Sequence, residues 1–371
     1  MMKIGIMSMQ RIINYGSFLQ AYGLKKITES FGNQVEFVDY MIDPPVQDNL
    51  PVNVSRSKNI IVTAFKFLLS PKYRKKRNAD IKQNKSYSVF CEIFKEEWLP
   101  CLGISQEKNL LPELDILIIG SDEVFNCTLN GANVGYSLQL FGKDNNAKKV
   151  ITYAASFGST TLEKLQYYNK TDEISGLLSK IDSISTRDCN SHTIIKELIG
   201  VEPVDNVDPV LVYDFEKESN LKVKLQDYVV VYAYSGRITD KEADAIQKFA
   251  HRKGLKTISI GVMQAFTDEY IFADPFELLA YIKKAAYVVT DTFHGAVFAI
   301  KYQVPFAVFI RDSNKEKLTD LLVKYNLNDR IVSCINDLES VISRKLNPNL
   351  IELKERYKHE AIEYLSSNLK L

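Results

Sequence analysis

The chain is short of several things, and each shortage closes off a class of function. Its 371 residues include 5 scattered cysteines with no CxxC pair, which fits reduced thiols and argues against a disulfide framework or a zinc site. Four dispersed histidines and no paired acidic motif give no metal-ligand pattern, so chemistry without metal or bound cofactor is expected. Positive charge is not in excess: a net charge of +1 argues against a nucleic-acid partner held by bulk charge. No apolar run approaches the ~18 residues of a membrane span. Met1-Met2-Lys3 leads straight into a strand pattern, without the charged and apolar regions of a signal peptide, so a cytoplasmic location is expected. There is no repeat of solenoid period and no low-complexity tract. The dinucleotide fingerprint is missing too, since Gly5 and Gly16 lack the G-x-G-x-x-G spacing.

What is present is ordinary core material, 46% hydrophobic and 25% charged, enough at this length for two domains of about 150 residues. Lys3–Met9, Ser17–Phe31 and Val35–Tyr40 read as a βαβ opening. Leu114–Ile119, Val150–Ala155 and Ile181–Thr186 read as further strands, with a helix over Leu162–Lys180. After a linker at Lys222–Asp227, strands at Tyr228–Tyr234, Thr257–Val262, Tyr287–Thr290 and Val304–Ile310 alternate with helices. Two runs of alternating β and α predict two Rossmann-type α/β domains with parallel sheets facing a central cleft, the GT-B arrangement. The expected bounds are 1–221 and 222–348, with a helical insertion about 58–100 and a C-terminal helix over 349–371 that packs back on the first domain. In the insertion, Lys58–Leu69 is amphipathic and Pro71–Arg77 is basic. Residues 58–77 are either a peripheral contact with an anionic membrane surface or the solvated face of a helical hairpin.

Candidate site residues fall at strand ends. Ala285–Arg311 runs strand, break, helix, strand, and puts Asp291 and His294 where a strand ends and a helix begins. Ligands bind there in open α/β sheets, because the helix start offers free N–H groups and a positive dipole end. His294 is an anion contact or an acid, or else a helix cap. At the first βα turn, Asn14, Tyr15 and Gln20 face the same mouth and Gly16 permits close approach of a ligand, or these are ordinary loop and cap residues. Ser121 and Asp122 follow a strand and either bind sugar hydroxyls or cap a turn. Arg187 ends another strand as a fork for carboxylate or phosphate, or pairs with Asp188 at the surface.

The ordered set of motifs resembles the polysaccharide pyruvyl transferase family. It comprises Asn14 to Tyr22 (N-Y-G-S-x-L-Q-A-Y), Gly120 to Asn126, Ile184 to Asp188, Val207-Asp208-Pro209 and Thr290 to Gly295. Glu123 and Phe125 stand where the family has Gln and Trp, and Thr292 where some members have Arg. The resemblance implies transfer of a pyruvyl group from phosphoenolpyruvate, as co-substrate, to a sugar of a lipid-linked surface-polysaccharide precursor. A cyclic ketal across two hydroxyls is the product. It further implies roles for His294, Asp122 and Asp291 in catalysis. Arg187, Asn126, Thr292 and Gly295 would contact substrate, with Arg11 or Arg237 as the second cation that Thr292 does not supply. A nucleotide-sugar glycosyltransferase and a degenerate scaffold of a glycan-assembly complex are the competing readings.

Overall fold

The computed structural model describes residues 1–46, 85–131 and 134–371, so the segment 58–77 lies outside the described residues. The first sheet contains β1 (Lys3–Met7), β2 (Gln34–Phe37), β3 (Glu113–Asp122), β4 (Asn146–Ala155), β5 (Ser185–Thr186) and β6 (Val204–Asp205). Its order is β2-β1-β3-β4-β5-β6, with every pairing parallel. The second contains β7 (Tyr228–Tyr232), β8 (Lys256–Ile260), β9 (Glu269–Ile271), β10 (Tyr287–Thr290) and β11 (Phe306–Val308). Its order is β11-β10-β7-β8-β9, again all parallel. Ile116–Ile119 within β3 and Val229–Val231 within β7 are continuous buried apolar runs because both faces of a parallel sheet are covered. This is the expected GT-B-like arrangement of two α/β sheets.

Chain order reverses beside β1 in the first sheet and beside β7 in the second. The carboxyl-end loops at those two points are where open sheets bind ligands. Helix α1 (Tyr15–Ser30) starts at the first, capped by Asn14, whose Oδ1 accepts from the Ser17 N–H at 2.7 Å. A helix α2 covers 85–101 with a π-helical turn at Phe94–Trp98. Its Phe90, Phe94 and Trp98 pack in edge and tilted contacts on Tyr15 and Phe18 of α1. From the other half, Phe276 stacks edge-on against Phe18 and Tyr22. One hydrophobic cluster therefore runs through both sheets, from Ile6 and Ile118 to Val230 and Val288.

Three local expectations change. The single helix over Leu162–Lys180 is two, α3 (Leu162–Tyr167) and α4 (Thr171–Leu178), because Asn169 between them adopts φ +54, a left-handed turn. The strand at Ile181–Thr186 shortens to β5, joined to β4 otherwise by a bridge from Ser183 to Ile151. β6 and β9 were not expected: two and three residues long, they carry too little alternation to register as a period.

The C-terminal helix α8, named after α5 (Pro209–Val212), α6 (Phe293–Tyr302) and α7 (Lys315–Lys324), spans Leu350–Asn368. It lies across both halves. The Tyr364 hydroxyl donates to the Thr152 carbonyl at 2.8 Å and accepts from Ser183 Oγ at 3.0 Å. Tyr357 donates to the Lys324 carbonyl in the second half. Tyr364→Phe is expected to lower the unfolding free energy by about 1 kcal/mol, the worth of such bonds. Urea unfolding checks this, and an unchanged midpoint would mean the hydroxyl adds nothing to the docking.

Candidate active site

The Arg187 guanidinium is the centre of the cleft's charged groups. It follows β5, its side chain is 3% exposed, and both its terminal nitrogens are taken. Nη1 donates to Asp208 Oδ2 at 3.2 Å and Nη2 to Asp122 Oδ1 at 3.0 Å. Its face lies 4.6 Å from the Phe293 ring centre, a cation–π contact with the opposite half. Its Nε is buried and, among the described residues, without a partner. The expected open fork for a substrate anion is thus already closed by two carboxylates, and the pairing is not with Asp188, which caps a helix through Ser191.

Asp122 is held by the same ion pair. Its Oδ2 accepts from Ser17 Oγ at 2.9 Å, and its backbone sits at φ +79, a conformation that a non-glycine residue keeps only when its surroundings hold it. Burial opposes its charge, but Arg187, His294 and Lys317 outweigh burial and hold the carboxyl at about 2. A carboxylate that weakly basic is a poor proton acceptor and is better suited to orienting a neighbouring group.

His294 is the second residue of α6. The helix is capped by Thr292, whose Oγ1 accepts from the Gly295 N–H at 2.9 Å, so His294 is not the cap. Among the described residues its Nε2 is buried without a hydrogen-bond partner, and it stands 3.5 Å from Asp208 Oδ2. The imidazole lies against the start of α1. A Cβ at Gly16 would come within 2.2 Å of His294 Nδ1, so Gly16 makes room for the imidazole rather than for a ligand.

Two cavities meet at His294. One, of about 170 Å³, is charged: Asp122, Glu123, Arg187 and Lys317 line it with Ser17. The other, of about 180 Å³, is aromatic and apolar: Tyr15, Tyr87, Phe90, Tyr232, Ile260 and Val262 line it with Thr292. Asn14, Tyr234 and His294 belong to both and form the shared wall.

Several expected substrate contacts lie elsewhere. Gln20 is fully buried beneath the cleft and donates to Ser8 Oγ and the Ser17 carbonyl. Ser121 is fully buried, its hydroxyl accepting from the Asp122 N–H. Asn126 spends its side chain on Glu123, Thr128 and Thr160. The Gly295 N–H goes to the Thr292 cap. Asp291 lines neither cavity: it is fully buried, its Oδ1 accepts from the Tyr234 N–H, and burial raises its pKa against the pull of Arg237 and Arg311. Arg11 forks onto Asp39 away from the cleft. Arg237 stacks on the Tyr234 ring, and its nearest carboxylate oxygen, on Asp291, is 4.0 Å away.

Four residues of the cleft escaped the sequence-based selection: Asp208, Glu123, Tyr234 and Lys317. Asp208 and Glu123 sit inside matched motifs and were within reach. Tyr234 ends the β7 run and reads as more strand. Lys317 lies on an amphipathic helix with no motif, so nothing in the sequence marks it. Among the described residues no group of metal-ligating side chains occurs, and no helix is long and apolar enough to cross a membrane.

Facing parallel sheets with a cleft site at both switch points define the class, a GT-B-fold protein. A UDP-GlcNAc 2-epimerase from Neisseria meningitidis, solved with UDP-GlcNAc, superposes with a TM-score of 0.50 over 100% of this chain and 99% of its own, at 10% identity. MnaA of S. aureus, solved with UDP, gives 0.47 over 98% and 91% at 13% identity. At such identity the likeness concerns the fold alone. Comparison with curated protein sequences gives no match. The sequence model of the polysaccharide pyruvyl transferase family matches residues 14–313, and the chain belongs to that family. It is therefore a transferase by family, and of polysaccharide biosynthesis.

The Asp122 ion pair has a pH signature. Its folded carboxyl titrates at about 2, below the ~3.9 of an unfolded aspartate. The stability it contributes is complete above about pH 4 and is lost as the pH falls toward 2. Asp122→Asn is expected to cost about 2 kcal/mol at pH 7, with the penalty shrinking between about pH 4 and 2. Denaturant unfolding across that range measures it, and a penalty that stays constant would show that the charge is not what Asp122 contributes.

Proposed function

We propose that the chain transfers a pyruvyl group from phosphoenolpyruvate to a sugar of a lipid-linked surface-polysaccharide precursor. The observation that carries this reading is the pair of adjoining cavities with His294 in their common wall. Group transfer needs a polar place for an anionic donor, an apolar-faced place for the acceptor, and a proton-carrying group between them. The charged cavity suits the donor. The aromatic cavity suits the acceptor, because the C–H face of a pyranose packs on aromatic rings such as Tyr15, Phe90 and Tyr234 while its hydroxyls reach polar groups at the wall.

In the reaction, C3 of the enol gains a proton and C2 becomes electrophilic. One sugar hydroxyl adds to C2, phosphate leaves, and a second hydroxyl closes the ketal. The two hydroxyls release two protons, of which one balances the methyl group formed at C3 and the other leaves on phosphate. His294 is the proton-carrying group of the shared wall. Asp208 steadies the protonated ring from 3.5 Å. Arg187 holds Asp208 and Asp122 in place and so positions the imidazole rather than touching the donor. Asp291, buried behind the wall, orients the loop of Tyr234.

A thermal-shift titration tests the donor, with uridine diphosphate beside phosphoenolpyruvate. Phosphoenolpyruvate is expected to raise the melt saturably and to release phosphate only when a methyl glycoside is added. His294→Gln should keep that shift and lose phosphate release, and Tyr234→Ala should raise the glycoside concentration required. A shift with uridine diphosphate alone would move the protein to the nucleotide-sugar transferases.

A further inference from the structure

The cleft carries cations for an anionic ligand, and most are already committed. Arg187 has two carboxylates. Arg311 forks onto Glu242 at 2.9 and 2.8 Å. Arg237 lines neither cavity and stacks on the Tyr234 ring, its nearest carboxylate oxygen 4.0 Å away on Asp291. Lys317 differs. It projects from the first turn of α7 in the second half, lines the charged cavity, and among the described residues its ammonium has one hydrogen-bond partner, Glu123 Oε1 of the first half. An ammonium has three donors, so two are left for the cavity.

Glu123 is placed to keep that partner. Its other oxygen accepts from Asn126 Nδ2 at 2.8 Å. It passes where only a glycine leaves room: a Cβ at Gly158 would stand 2.4 Å from Glu123 Oε2. Side chains of both residues are about one-fifth exposed, at 23% and 22%, so ligand reaches them without unfolding. Two carboxylates, Asp122 and Glu123, line the cavity against two cations, Arg187 and Lys317. An arriving anion therefore finds the cavity's positive charge already matched until one carboxylate gives way.

We infer that Lys317 is the anion ligand of the charged cavity and that Glu123 is a built-in competitor for it, displaced when a phosphate or carboxylate group binds. This rests on the reading of that cavity as the donor site, and it names the residue that supplies the cation Thr292 does not. The exchange has a reason in the architecture. Asp122 and Asp208 hold Arg187 from two sides and against an aromatic face, while Lys317 swings on a flexible stem with a single tie across the cleft. Arg187 stays put and Lys317 changes partner. Because Lys317 and Glu123 come from opposite halves, ligand takes the place of a bond that ties the two halves together across the cleft.

Calorimetric titration of inorganic phosphate and of phosphoenolpyruvate tests this on the unaltered chain, Glu123→Gln, Lys317→Met and the double variant. Glutamine and methionine keep shape and length, and a cooperative melt checks the fold of each. Glu123→Gln should tighten binding of both anions at least about tenfold, the effect of removing one close like charge from a partly buried site. Lys317→Met should lose binding, and the double variant should bind no better than Lys317→Met, since the benefit of removing Glu123 runs through the lysine. Unchanged or weaker phosphate binding in folded Glu123→Gln overturns the inference, as does full affinity in Lys317→Met. If inorganic phosphate follows the expected pattern and phosphoenolpyruvate does not bind, the anion site stands and the choice of donor falls.

Discussion

A buried guanidinium gripped by two carboxylates sets the geometry of this cleft. Charges out of water are costly unless paired, and removing a partner leaves the remaining charge buried and less compensated. Arg187 meets that constraint by drawing in Asp122 from the end of β3 and Asp208 from the cap of α5, and by resting on Phe293 of the other sheet. Three loops are thereby fixed to one point. Asp208 in turn stands beside His294, which fits into the gap left by Gly16 at the start of α1. The imidazole is thus positioned from both halves, and the two cavities that share it inherit their relation from the ion pair.

The same constraint explains the division of labour among the cations. An arginine held at both nitrogens is a fixed part of the frame. Recognition of an arriving anion falls to a group with a weaker hold, and Lys317 with its lone tie to Glu123 fits that description. On the other side of His294 the aromatic cavity is lined by no comparable charge among the described residues; its shape comes from α2 laying Tyr87 and Phe90 over Tyr15. Polar and apolar chemistry are kept apart by one wall, which a transfer between an anion and a sugar requires.

Much of this was legible in the sequence. The apolar runs of β3, β7 and β10 announce buried parallel strands, and a break after each announces the cleft. His294 and Arg187 were found because they follow such breaks. What the sequence does not carry is direction. Gln20, Ser121 and Asn126 sit in the same kind of place as Asn14, but their side chains turn into the protein to satisfy buried partners, and no periodicity separates the two cases. Partnership across long separations is equally invisible: Lys317 lies 194 residues from Glu123, in a helix whose pattern is that of any surface helix. The two carboxylates that hold Arg187 lie 65 and 21 residues away and are invisible for the same reason.

The sharpest test of Arg187 as frame rather than ligand is the affinity of Arg187→Lys for phosphoenolpyruvate, measured beside its turnover and its melt. A lysine keeps the charge between Asp122 and Asp208 and gives up the fork. If the ion pair only positions His294, donor affinity stays at the level of the unaltered chain while turnover drops. A folded variant that has lost its donor affinity would contradict the account, because it would put the guanidinium on the donor itself.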